Sequence, residues 1–180
     1  MPRIFDNIDL KLLPTLQETL QQAKQADFCV GYFNLRGWRS IDKWIEQFSG
    51  VDAECCRLVV GMQKLPYEQM RSLHSLAANE DGIDSPMAAR LRKQAAEEFR
   101  EQLTIGAPNN QDELGLRRLS QQLKSGKVKV KLFLRHPLHA KLYLVYPKIP
   151  HPNLRAVGFL GSSNLTISGL RNQGELNIDE

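Results

Sequence analysis

Negative charge is missing from a third of this chain. No Asp or Glu occurs between Leu114 and Gly174, although that stretch carries 11 Lys and Arg. Before it, 13 Lys and Arg face 17 Asp and Glu. A long tract without carboxylates sets up a positive field suited to a polyanion. Cysteine is scarce too, at Cys29, Cys55 and Cys56 only. An odd count argues against a disulfide framework, and adjacent Cys55-Cys56 is not a chelating spacing. These thiols read as reduced and buried in strands. No apolar run approaches the ~20 residues that span a bilayer, and Met1 to Asp6 lacks a signal peptide's apolar stretch. A cytoplasmic location is therefore expected. Repeats, low-complexity segments and Gly/Ser linkers are absent as well, so 1–180 reads as a single domain.

What is present alternates between two periods. Leu10, Leu13, Leu16 and Leu20 keep helical spacing, and so do Ile41, Trp44, Ile45 and Phe48. Asp27 to Phe33 reads as a strand, Asn34 to Gly37 as a turn, and Arg57 to Met62 as a buried strand. Residues 67–124 look mostly helical, with breaks near Asn79–Pro86 and Thr104–Gln111. From Lys127 to Leu134 the valines and leucines alternate with lysines, a half-buried strand. Further strands are expected at about His139–Tyr146, Arg155–Leu160 and Glu175–Ile178. Strands interleaved with helices predict an α/β sandwich.

The chemistry concentrates in the acid-free tract. His139 and Lys141 stand two apart, so on a strand they share a face about 7 Å apart, with Tyr143 and Val145 on the same side. An imidazole beside an ammonium suits a phosphate, one group attacking phosphorus and the other neutralising an oxygen. Gly161-Ser162-Ser163-Asn164 follows an apolar strand and precedes a segment able to open a short helix. Small residues there let backbone N–H groups approach an anion, while Ser and Asn add neutral donors. Glu175 is the first carboxylate after the tract, and a carboxylate can fix the tautomer of a histidine. Asn172 lies between.

Taken alone, each piece has a plainer reading: H-x-K as a solvated edge, G-S-S-N as a turn, Glu175 as a surface acid. His136 forms H-x-x-H with His139 but has no further ligands nearby to hold a metal. His151 reads as solvated and His74 as structural. Arg135, Arg155 and Arg171 are candidate nucleic-acid phosphate contacts.

Together, H-x-K followed 20 residues later by G-S-x-N resembles the signature of the phospholipase D superfamily. The string GSSNLTISGL…NQGELN is closer still to its nuclease branch, which includes metal-independent restriction endonucleases. It is also similar to the nuclease-like domains at the N-termini of bacterial superfamily II helicases, as is the segment Val30 to Trp38. The resemblance implies a phospholipase D-like mixed sheet flanked by helices, with one H-x-K…G-S-x-N motif per chain. It further implies that His139 forms a phosphohistidine, that Lys141, Ser162, Ser163 and Asn164 hold phosphate oxygens, and that Glu175 orients the histidine. It implies neither a metal nor a cofactor. With one such histidine per chain, it implies a homodimer whose two copies of His139 share a site.

DNA is the implied partner and a membrane is not. A linked helicase motor would lie outside this chain, because Ser125-Gly126-Lys127 lacks the upstream glycine and following Ser/Thr of a nucleotide-binding loop. The alternatives are a non-catalytic DNA-binding or dimerisation module and a phospholipase-type phosphodiesterase. Against the latter stands Tyr146, where the full superfamily motif has an Asp.

Overall fold

A computed structural model of the chain describes residues 2–61, 85–104, 110–133, 137–149, 155–172 and 174–179. Its strands are β1 (Ile4–Phe5), β2 (Ala23–Val30), β3 (Cys56–Gly61), β4 (Val128–Phe133), β5 (Lys141–Pro147), β6 (Val157–Gly161) and β7 (Asn177–Asp179). They form one seven-stranded mixed sheet in the order β1-β7-β6-β5-β2-β3-β4. β2, β3 and β4 pair in parallel, whereas β5, β6, β7 and β1 join antiparallel. The helices are α1 (Leu12–Gln21), α2 (Leu35–Arg39), α3 (Asp42–Ile45), α4 (Ser85–Leu103) and α5 (Asn110–Lys124), with a π-helical turn at Ser168–Asn172. The expected fold class, a mixed sheet flanked by helices, is the one observed.

Alternation decides which face is covered. Ala26, Phe28 and Val30 of β2 face the core beside Cys56, Leu58 and Val60 of β3 and beside Tyr143 and Val145 of β5. Against that face pack Leu12, Leu16 and Leu20 of α1, Trp38 of α2 and Leu119 of α5. Each such leucine, fully buried, contributes about 1.5–3 kcal/mol. The other face carries Ile4, Leu160 and Ile178, all exposed. Lys129 and Lys131 project from β4 on that side, as the alternation from 127 to 134 predicts.

Two local expectations are corrected. The helix expected around Ile41–Phe48 is instead two short helices. The first begins earlier, because the Asn34 side chain caps it by accepting from the Gly37 N–H at 2.9 Å. The expected turn at Asn34–Gly37 is thus the start of α2. Trp38 then donates its indole N–H to Gln122 Oε1 at 3.0 Å, a tertiary bond that fixes α2 against α5. The second correction concerns β5, which begins at Lys141, so His139 precedes the strand. Cys55 and Cys56 are buried free thiols as expected, and Cys29 is half-buried.

Folding also redistributes the positive tract. Arg118 donates to both carboxylate oxygens of buried Asp42 at 3.0 and 3.1 Å, Lys127 pairs with Glu46 at 2.7 Å, and Arg117 with Glu113 at 2.6 Å. Acids that precede the acid-free tract in sequence therefore neutralise part of it. Burial pushes the Asp42 carboxyl up, against the opposing charge of Arg118.

Tyr146 donates to Asp27 Oδ2 at 3.0 Å, and Arg57 grips the same carboxylate through two nitrogens. Burial alone raises the Asp27 carboxyl, but the bonds from Arg57 and Tyr146 bring it below its ordinary value. A carboxyl held low in the folded state stabilises above its unfolded pKa of about 3.9, and that contribution is lost as pH falls through the folded value. Asp27→Asn is expected to cost about 1 kcal/mol at pH 7, since Arg57 is half-exposed and solvent screens the pair. Urea denaturation at pH 7 and again near pH 2 checks this, the difference closing at the acid end.

Candidate active site

The register determines which strand ends meet. Because β2, β3 and β4 are parallel, Val30, Gly61 and Phe133 close on one edge of the sheet. β5 runs the other way, so its first residue, Lys141, stands opposite Val30. β6 reverses again and delivers Gly161 to the same edge, where β7 opens with Asn177 opposite Gly161. His139 stands two residues before β5 begins, Ser162 to Asn164 immediately follow β6, and Glu175 stands two residues before β7 begins. One edge thus collects all four proposed catalytic residues. It is also where the parallel strands present their carboxyl ends, the customary place for ligands in α/β sheets.

Gly31 brings two of these segments close. Its N–H donates to Ala140 O at 2.8 Å. A Cβ placed on Gly31 would meet Leu138 O at 2.4 Å and Asn164 Oδ1 at 3.5 Å. The peptide leading into His139 and the side chain of Asn164 therefore flank a single glycine, and only the absence of a side chain permits this approach. His139 is exposed and Lys141 half-buried, and Lys141 Nζ donates to His139 O at 2.9 Å.

Asn164 is fixed at one end only. Its Oδ1 accepts from the Tyr32 backbone N–H at 2.9 Å, while Leu165 and Asn34 continue the contact through Tyr32 O and Leu165 O, each at 3.2 Å. Among the described residues its Nδ2 donates to no acceptor, so the amide presents a donor. The two serines differ. Ser162 is half-buried, its Oγ accepting from Leu176 N–H at 3.0 Å. Ser163 is fully buried and bonded to Asn177: its Oγ accepts from Nδ2 at 2.7 Å and its N–H donates to Oδ1 at 3.3 Å. The Ser163 hydroxyl thus turns into the protein, away from any ligand at the edge.

Glu175 is half-buried, and its charge acts on Tyr143. Burial, then the nearby Glu175 carboxylate, drives the Tyr143 phenol well above its ordinary range. Among the described residues no hydrogen bond joins Glu175 to His139. Arg171, exposed in the π-helical turn, and Asn172, also exposed, lie between β6 and β7 on this edge. Arg155 precedes β6 and stands at the opposite edge, about 20 Å away along the strand, so it is not brought to the site. Arg135, His136, His151 and His74 lie outside the described residues. Among the described residues no group of three or more His, Cys, Asp or Glu side chains converges as metal ligands, and no helix is long and apolar enough to cross a membrane.

Sequence reasoning missed the supporting residues. Tyr143 shares the alternation of His139 and Lys141 with no chemical signal of its own, yet its hydroxyl donates to Ser163 O at 2.8 Å. Asn177 carried no signal beyond its place in a strand.

No protein-family model matches the chain, and no curated protein matches it. Solved structures similar in shape include the following two. NucT from Helicobacter pylori has a TM-score of 0.46 at 13% identity, covering 99% of this chain and 84% of that one. A mutant of yeast tyrosyl-DNA phosphodiesterase 1 has a TM-score of 0.47 at 13% identity, covering 100% of this chain and 32% of that one. Both likenesses lie below the level at which shared shape implies shared chemistry, so the functional reading rests on the residues themselves.

Proposed function

We propose that this chain is a phospholipase D-type phosphodiesterase that cleaves DNA without a metal, through a phosphohistidine, with two copies completing one site. The observation that carries this reading is the gathering of His139, Lys141, Asn164 and Glu175 at one sheet edge, with the imidazole exposed.

The chemistry runs in two steps. A ring nitrogen of His139 attacks phosphorus, an N–P bond forms, and the P–O bond to the leaving oxygen breaks. The leaving oxygen takes a proton from a second imidazole, supplied by the twin chain's copy of His139. Water then attacks phosphorus, gives its proton back to that second imidazole, and the N–P bond breaks. Lys141 and the free Nδ2 of Asn164 stabilise the non-bridging oxygens as charge builds. For Lys141 this requires exchanging the His139 carbonyl for a phosphate oxygen. Glu175 steadies the imidazolium. Arg171 serves as a contact to flanking DNA phosphates, and a helicase motor on a longer polypeptide is the natural context for such a domain.

Purified protein is expected to hydrolyse DNA and bis(p-nitrophenyl) phosphate at the same rate with and without EDTA. Light scattering is expected to give a dimer. Activity that vanishes in EDTA and returns with a divalent ion contradicts the proposal.

A further inference from the structure

We infer that Tyr143 is a positioning residue: from beneath the Gly161–Asn164 turn it holds the Asn164 amide where it can donate to a phosphate oxygen. The inference rests on the proposed reaction and adds to it a residue that never touches substrate.

The argument starts from Ser163, whose polar groups are all spoken for. Its N–H and Oγ bond to Asn177. Its carbonyl accepts from the Tyr143 hydroxyl at 2.8 Å inside the protein. A buried carbonyl needs such a partner, and here the partner is a single phenol on a rigid strand. Tyr143 is fully buried, its ring packed edge-on to Phe28 with centroids 5.1 Å apart. The next residue is Asn164, whose Oδ1 is pinned by Tyr32 N–H. Held at Ser163 from below and at Oδ1 from the side, the amide has one orientation, with Nδ2 outward. Burial and the Glu175 charge both keep the phenol protonated, so Tyr143 remains a donor over any working pH. Sequence spacing agrees: Tyr143 is two residues past Lys141 on the same strand face, so the residue bracing the turn and the ammonium facing phosphate share one rigid element.

Tyr143→Phe removes the hydroxyl and keeps the ring, so the fold is expected to survive. If Tyr143 acts through Asn164, kcat falls about tenfold while KM stays within about twofold, because the Asn164 donor works mainly in the transition state. The decisive comparison is a double-mutant cycle with Asn164→Ala. The double variant is expected to be no slower than Asn164→Ala alone, since the brace has nothing left to position. Losses that multiply, or a Tyr143→Phe kcat within twofold of wild type, overturn the inference. Should the wild-type chain hydrolyse nothing, the proposed reaction fails by itself, and amide hydrogen exchange still judges the brace. Exchange at Ser163 and Leu165, whose N–H groups donate to Asn177 Oδ1 and Tyr32 O, is expected to quicken about tenfold in Tyr143→Phe, and an unchanged rate refutes it.

Discussion

His139→Ala is expected to lower kcat by about three orders of magnitude or more against both DNA and bis(p-nitrophenyl) phosphate in EDTA. The size follows from the role. Removing a nucleophile leaves only the binding and electrostatic contributions of the site, which for residues acting as a unit is a small remainder. The same substitution should leave stability within about 0.5 kcal/mol of wild type, because the side chain is exposed. That separation of activity from stability makes the experiment informative. A thermal melt that matches wild type beside a dead enzyme supports the assignment. Turnover within a few-fold of wild type removes His139 from the chemistry.

The second large effect is expected at Gly161. A Cβ there would stand 2.2 Å from Leu176 O, 2.5 Å from Asn177 Oδ1 and 2.6 Å from Asn177 Cα. Two of those neighbours are backbone, so no rotamer change relieves the clash, and the start of β7 must move. Gly161→Ala is accordingly expected to destabilise by about 2–4 kcal/mol, which for a domain of this size is roughly 5–15 °C in Tm. Activity is expected to fall beyond what the loss of folded protein explains, since Asn177 braces Ser163 and Glu175 lies on the segment leading into the same strand. Gly174→Ala is the matched control: among the described residues nothing lies within 4 Å of its added methyl, and a change under about 0.5 kcal/mol is expected. Differential scanning calorimetry on the two variants makes the comparison, and equal melting temperatures would show that the approach of β7 to Gly161 is not as close as described.

The ease of reading this molecule from its sequence varies with the range of the interaction. The alternation of Val128, Val130 and Leu132 with Lys129 and Lys131 announced β4 because a half-buried strand writes its period directly into neighbouring residues. Leu13, Leu16 and Leu20 do the same at helical spacing in α1, whereas Leu10 lies ahead of the helix and is exposed. The proposed site residues stand out as a set because both motifs sit at strand termini, where apolar runs stop and small or charged residues begin. What escaped was decided across the chain. His139 falls outside β5 because the peptide from Leu138 to Ala140 passes over Gly31, a contact more than 100 residues away in sequence. The break between α2 and α3 depends on a cap by Asn34 and an anchor from Trp38 to Gln122. Ser162 and Ser163 look equivalent in the sequence, and only the pairing with Leu176 and Asn177 separates the serine at the rim from the buried one. The acid-free tract likewise overstated the local field, because Asp42 and Glu46 return to it in space.

Rapid-quench turnover of a phosphodiester in EDTA, followed by peptide mass spectrometry under non-acidic conditions, reaches the intermediate itself. His139 carrying the phosphorus with its one remaining ester group (a nucleotidyl adduct when DNA is the substrate) early in turnover, rising and decaying at rates compatible with kcat, is the predicted result. Steady hydrolysis with His139 unmodified at every quench time would contradict the account.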